Sequence, residues 1–448
     1  MAFLSFLDKE RAVAGPGYSR WMIPPAALAI HLSIGQVYSF SVFKTPLTKL
    51  PGNWSDPSIA WVFSIAIAVL GVSAAVFGKW LDRNGPRRAM FYSATCFGAG
   101  FLVAAVGVHF HQLWLLYLGY GVLGGFGLGL GYIAPVSTLI KWFIDRPGLA
   151  TGLAIMGFGG GALIGGPLAR TLMDHAGVAG AFAFMGVIYF CFMMFGTFAI
   201  RTPPPGWKPD GYVPKQKASG MISTHNVDVG TAVRTPQFYL LWLVLCLNTT
   251  AGIGIIEQAA PMITELFKGR VGVEAATGFV GFLSLFNMGG RFVWSGLSDY
   301  IGRKWTFAAF FLIGVPGYIA ITFTGSNHLD SVPFFVLFCG VMISVYGGGF
   351  STMPAFVKDL FGPENVSPIY GRILTAWAAA GVLGPQLVNG IRKYELAHGA
   401  TAPQAYGTVL HVMAGLLAAG LACDLLLRPV NSSRWETGPS SQPQPAHA

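Results

Sequence analysis

Apolar residues recur along this chain in runs of about 20, broken by short clusters of Pro, Gly and charge. Each run is long enough as a helix to cross a hydrocarbon core of roughly 30 Å. The pattern predicts helices at 21–43, 57–81, 89–109, 113–140, 149–174 and 179–200. After a polar stretch it predicts six more, at 237–264, 275–297, 304–324, 331–357, 368–391 and 403–427. The expected fold is therefore an all-α integral membrane protein with twelve transmembrane helices in two pseudo-symmetric six-helix bundles. Residues 1–200 and 237–428 form the bundles, 201–236 a Pro-, Gly- and Lys-rich linker, and 429–448 a disordered tail.

Composition sharpens this. Only 10% of the 448 residues are charged and 53% are hydrophobic, against about 25% charged in soluble domains. The net charge of +10 raises the question of nucleic acid, but the basic residues sit in alternate short loops and form no contiguous stripe. With the N-terminus inside, about 20 Lys and Arg fall inside and about 6 outside, which places both termini in the cytoplasm. The first 20 residues lack the order of a cleaved signal, so insertion is expected to rely on the first span. The five cysteines lie in apolar runs without a CxxC pair, as small buried hydrophobes do. No metal, cofactor or enzymatic motif of the HExxH or GxSxG kind is expected.

The halves repeat. Asp82-x-x-Gly85 after span two is matched by Asp299-x-x-Gly302 after span eight, Pro135 by Pro354 and Gly152 by Gly371. A near-constant offset is what an internal duplication leaves, and paired halves are the usual construction of secondary transporters.

One residue breaks the repeat. Arg291, in "GGRFVWSGLSDYIGRK", lies in span eight, roughly 12 Å of helix from the polar turn at Asp299. That exceeds the reach of a snorkelling side chain, and Gly289 and Gly290 are expected to leave space beside it. The matching position in the first half is Ala74. A scaffold cation would be duplicated; one kept in a single half reads as an anion site, with buried helix–helix contact as the competing reading.

"GKWLDRNGPRR" at 78–88 resembles the loop 2–3 signature of the major facilitator superfamily at every fixed position. A narrower resemblance, to the oxalate–formate antiporter family and the related monocarboxylate porters, rests on "IPPAALAIHLSIGQVYSFSVF", "NMGGRFVWSGLSD", "YGGGFSTMPAF" and "IYGRILTAWAAAGVLGP". The resemblance implies a secondary carrier in which Arg291 holds a substrate carboxylate. Members that handle the oxalate dianion carry a Lys in span eleven; here Trp377 stands there, and one cation neutralises one carboxylate. A monocarboxylate such as formate or lactate is therefore favoured, with the same fold carrying a drug or a sugar as the alternative and a non-transporting membrane sensor as a more distant one.

Gln36, Tyr38, Tyr132 and Tyr346 fall where the family places polar groups in its pocket. His31 and Glu257 are the titratable groups positioned to couple protons, against readings as a structural histidine and a solvated acid. Exchange and proton symport stay open. Asp82, Arg83, Arg87, Arg88, Asp299 and Arg303 are the gating candidates at the ends of spans two and eight. The chain is expected to act as a monomer in a bacterial cytoplasmic membrane, with a small organic anion, protons and lipid as its partners.

Overall fold

The computed structural model describes residues 2–209, 211–212, 222–223, 225–324 and 331–435. They form fifteen α-helices: α1 Ile23–Ile34, α2 Ser41–Thr48, α3 Asp56–Asn84, α4 Pro86–His109, α5 Leu113–Leu116, α6 Gly124–Trp142, α7 Pro147–Ala199 and α8 Val229–Ala232. The remainder are α9 Pro236–Leu266, α10 Val273–Ile301, α11 Arg303–Thr324, α12 Val332–Phe361, α13 Val366–Ile373, α14 Thr375–Ala397 and α15 Ala402–Leu426. Local chemistry sets the ends. Ser55 and Thr235 accept from the backbone N–H three residues on and start α3 and α9. Gly85 and Gly302, the glycines of the repeated Asp-x-x-Gly motif, stop α3 and α10 at φ +85° and +86°, a conformation L side chains rarely adopt.

Among the described residues, nine helical segments are apolar enough to cross a membrane, and the bent pair at 20–48 makes a tenth. Two features bring this into line with the twelve crossings read from the sequence. Helix α7 covers both spans expected at 149–174 and 179–200 and is broken between them by the non-helical backbone of Gly177. Helix α10 is less apolar because Asn287, Arg291, Ser295 and Ser298 recur along one face and are all buried. The chain breaks inside three spans: a 3₁₀ turn Gly35–Ser39 follows α1, a π-turn Tyr117–Leu123 separates α5 from α6, and α13 gives way to α14 at Leu374.

The two halves, α1–α7 and α9–α15, cross at two places related by the repeat. Gly152 of α7 lies against Arg291, Phe292 and Ser295 of α10, and Gly371 of α13 lies against Ala74 of α3; a Cβ at either would collide with the facing helix. The paired glycines thus permit equivalent close crossings, one beside Arg291 and one beside its counterpart Ala74.

The described residues near both chain ends and in the linker gather on the face where α3 and α10 end, called here the terminal face. Residues 2–14 pack there: Arg87 donates to the carbonyls of Phe6, Arg11 and Ile200, Arg88 pairs with Asp8 at 2.7 Å, and Lys9 donates to the Asp82 carbonyl. At its far end the linker forms α8, capped by Asp228. Of the tail expected to be disordered from 429, residues 429–435 are described. A 3₁₀ turn Ser432–Arg434 lets Trp435 stack on His225 at 4.1 Å between ring centroids. Residues 436–448 lie outside the described ones.

Candidate functional site

Arg291 is wholly buried. Its Nε donates to Asn287 Oδ1 at 2.9 Å, one turn back on α10. Its guanidinium carbon stands 5.5 Å from the ring centre of Phe158 on α7 and 5.2 Å from that of Phe350 on α12. Neither Nη1 nor Nη2 has a hydrogen-bond partner among the described residues. The hydroxyls of Tyr38, Tyr132 and Tyr346 act on its charge, and those of Tyr38 and Tyr132 come within weak hydrogen-bonding range of it. Two cation–π contacts, each worth on the order of 2 kcal/mol when desolvated, offset only part of the several kcal/mol that burying an ion costs. Room for the side chain comes from Gly159 and Gly347, which lie beside its Nε and Cγ. Gly290, expected to supply that room, instead packs against Ser344 of α12.

Aromatic rings from both halves close around the cation. Trp377 of α14 touches Tyr38, Tyr132, Phe158 and Phe350, with centroids 6.4, 5.5, 5.3 and 4.6 Å away. Tyr38 and Tyr346 join their hydroxyls at 2.9 Å, a hydrogen bond between the first and second halves. Tyr132 is buried, and its hydroxyl makes no well-formed hydrogen bond among the described residues. The structure therefore assembles Tyr38, Tyr132, Tyr346 and Trp377 with Arg291. Phe158 and Phe350 complete the cage without having been singled out, although both lie in glycine-rich runs whose density marks close helix approach. Gln36 departs from expectation. The 3₁₀ turn carries it into the interior of the first half, where its Oε1 accepts from Tyr120 at 3.2 Å.

His31 is also buried in the first half, its Nδ1 3.1 Å from the Ala27 carbonyl and its ring edge-on to Tyr132 at 5.5 Å. Its Nε2 makes no well-formed hydrogen bond among the described residues. Glu257 falls on α9, and its side chain lies outside the described residues.

At the terminal face the repeat produces matching contacts between halves. Asp299 accepts from the N–H groups of Gly148 and Leu149, both at 2.9 Å, and so caps α7 across the junction. Arg303 braces that carboxylate at 2.5 Å and also reaches Asp359 at 3.2 Å. The counterpart Asp82 accepts from Ser367 at 2.9 Å across the junction and pairs with Lys141 at 3.5 Å. Lys358 adds a bond to the Ile144 carbonyl. Arg87 and Arg88 are different: their partners are the N-terminal segment, Asn84 and the Ile200 carbonyl, all within the first half. Arg83 is exposed. Beneath the latch, Arg20 holds Asp145 by two bonds of 2.6 and 3.1 Å. Partial burial pushes that carboxyl up, but the Arg20 bonds outweigh it and hold it below the usual range.

On the opposite, far face a cavity of about 120 Å³ opens between the halves, with Tyr38 and Trp377 among its lining residues.

Two helical halves meeting around a buried charge define a helical membrane transporter. Residues 17–385 match the Major Facilitator Superfamily, and the chain belongs to that family. It is 28% identical over 368 residues to "Uncharacterized MFS-type transporter YhjX" of Escherichia coli (strain K12), covering 81% of this chain and 86% of that protein. It is 26% identical to "Oxalate:formate antiporter" of Oxalobacter formigenes, covering 82% and 83%, and 31% identical to "Monocarboxylate transporter 11" of Homo sapiens over 44% of this chain and 41% of that one. These relatives agree with the resemblance read from the sequence. Among solved structures, a bacterial homologue of the iron transporter ferroportin in an outward-facing state superposes with a TM-score of 0.65 at 13% identity, over 90% of this chain and 98% of that one. A bacterial homologue of the lysosomal transporter Spinster gives 0.58 at 18%, over 92% and 97%. At that identity they bear on the fold alone.

Proposed function

We propose that this transporter carries a small carboxylate anion, a monocarboxylate such as formate or lactate, by alternating access. The observation that carries the reading is the fully buried Arg291, whose two terminal nitrogens have neither a carboxylate nor a well-formed hydrogen bond among the described residues. A carboxylate can accept from both nitrogens of the fork at once and neutralise the charge, which a hydroxylated sugar or an organic cation cannot do. Trp377 fills the span-eleven position with a ring, so the cage supplies one positive charge for one negative charge. Tyr38, Tyr132 and Tyr346 present hydroxyls able to donate to the remaining lone pairs.

The gate follows from the same geometry. Asp299 on the α7 N-terminus, with Asp82 and Ser367 as its repeat-related partner contact, holds the terminal face shut; rocking of the halves breaks both and parts Tyr38 from Tyr346. Arg303 fixes the Asp299 carboxylate, whereas Arg87 and Arg88 fasten the N-terminal segment. The terminal face is cytoplasmic in this reading, in a bacterial inner membrane. His31, stacked edge-on to Tyr132, is the group placed to pass a proton to the cage if the anion moves with one.

Thermal-shift measurement of the purified protein against formate, acetate, lactate, pyruvate and oxalate tests the substrate, with Arg291→Ala as control. A monocarboxylate is expected to stabilise the wild type and to lose that effect in the variant. Equal stabilisation of both proteins removes Arg291 from the mechanism. Counterflow in preloaded proteoliposomes separates exchange from proton symport.

A further inference from the structure

Tyr370 of α13 stands where the halves meet on the terminal side of the cage. It is buried, and its ring lies 6.3 Å from that of Tyr132 between centroids. The two hydroxyls come within weak hydrogen-bonding range of each other, and the Arg291 charge acts on both. The Tyr370 hydroxyl also donates to the Phe350 carbonyl at 3.4 Å, long for such a bond. That carbonyl is open to it because Pro354, four residues on in α12, has no N–H to offer. Ser367, which joins Asp82 and Ser137 in the latch, is three residues before Tyr370 on the same short helix, roughly 4.5 Å along its axis. Because α13 ends at Leu374, it is able to turn with the latch while α14 keeps Trp377 in place. The repeat marks the pair as well. At the offset that relates Pro135 to Pro354 and Gly152 to Gly371, Tyr132 corresponds to Ser351 and Tyr370 to Thr151. Both counterparts donate to carbonyls of their own helix. As with Arg291 and Ala74, the functional group is kept on one side of the repeat.

We propose that Tyr370 is a further substrate-binding residue, which donates to the carboxylate on Arg291 only when the terminal face opens. Breaking the Ser367–Asp82 contact swings α13 and draws the Tyr370 hydroxyl away from Tyr132 and the Phe350 carbonyl. The hydroxyl then exchanges a long bond to a neutral carbonyl for a charge-assisted bond to the anion, which is shorter and stronger. With no anion present the same movement loses the bond and gains none. The loaded protein is therefore stabilised on opening in a way the empty protein is not, and this differential interaction is what lets a ligand shift a two-state equilibrium. The inference rests on the reading of Arg291 as a carboxylate site, and adds the residue through which the bound anion acts on the latch.

Spin labels at Arg83 and Glu364, exposed on the terminal face, provide the test in the full-length protein in lipid nanodiscs. The quantity read is the factor by which saturating lactate or formate multiplies the ratio of long to short label distances. Tyr370→Phe keeps the ring and removes the donor. It is expected to lower that factor about tenfold, the lower end of what a hydrogen bond to a charged group contributes. Tyr318→Phe removes a hydroxyl bonded to the Ala251 carbonyl, outside the cage, and is expected to leave the factor at its wild-type value. 3-Fluorotyrosine at position 370, nearly the same size and a stronger donor, is expected to raise it. A factor unchanged in Tyr370→Phe overturns the proposal, even if the acid-free ratio moves, because a residue that only satisfies the Phe350 carbonyl shifts loaded and empty protein alike. The central reading is checked separately by heat. An acid-induced thermal shift that is missing in the wild type, or kept in Arg291→Gln, defeats that reading and this proposal with it. A shift present in the wild type and lost in Arg291→Gln, beside an unchanged factor in Tyr370→Phe, removes Tyr370 alone.

Discussion

Arg291 is a charge the protein holds at a cost. Buried beneath Phe158 and Phe350 with two nitrogens that make no well-formed hydrogen bond among the described residues, it is expected to destabilise the ligand-free protein. Arg291→Met, which keeps the stem and removes the charge, should therefore stabilise the empty transporter by about 1–4 kcal/mol while abolishing the ligand-induced thermal shift. If the empty protein is instead less stable, Arg291 acts as helix–helix contact. Trp377→Lys makes the complementary case. A second cation against Arg291 is expected to lower the stability of the empty protein, and to create an oxalate-induced thermal shift that the wild type lacks. Arg291 was legible in the sequence because charge is costly in an apolar run, whereas Trp377 was singled out only through the family resemblance, which implies a Lys there in oxalate carriers. Gln36 and Phe350 were not, for a geometric reason. A 3₁₀ turn advances each side chain by about 120° rather than 100°, which swings Gln36 toward Tyr120. An aromatic in an apolar helix carries no signal of what it will face.

At the level of elements, the informative sequence feature was the duplication. It pointed to the ends of spans two and eight, and both ends are where the halves touch. It did not say which of the basic residues cross the junction. The arginines of the first copy were absorbed by residues 2–14, whose packing on Arg87 depends on tertiary contacts that no local motif announces. In the second copy Asp299 completes the cap on α7. Charge-assisted bonds of this kind contribute about 1.5–3 kcal/mol each. Asp299→Asn is expected to weaken the latch without unfolding the bundles. A cysteine placed at the buried Thr151, two residues beyond Leu149, should then react with a soluble maleimide severalfold faster than in the otherwise wild-type chain. Asp82→Asn should give a smaller acceleration, because Ser367 keeps Ser137 as a partner. Equal rates in all three would place the closing energy elsewhere.

For the whole molecule, the closing surface on the terminal face depends on two glycines that the repeat makes equivalent. Gly152 sits on α10 and Gly371 on α3, each so close that an added Cβ meets backbone or hydroxyl oxygen rather than a flexible chain end. Neither crossing has slack, and packed helices respond to overpacking by moving as bodies more than by compressing. Gly152→Val and Gly371→Val should therefore push the halves apart on the same side, even though one change lies in each half. Spin labels at Arg83 and Glu364, both exposed on the terminal face, report that separation. The expected outcome is one short distance distribution in the wild type and a longer one in either variant. The double variant should add little, since the first collision already opens the surface on which the second would act. A shift in one variant only would mean that the two crossings are not mechanically equivalent. The symmetry of the fold would then stop at the backbone, and the unpaired cation at Arg291, with Ala74 opposite, would be the first of several differences that make one half move against the other.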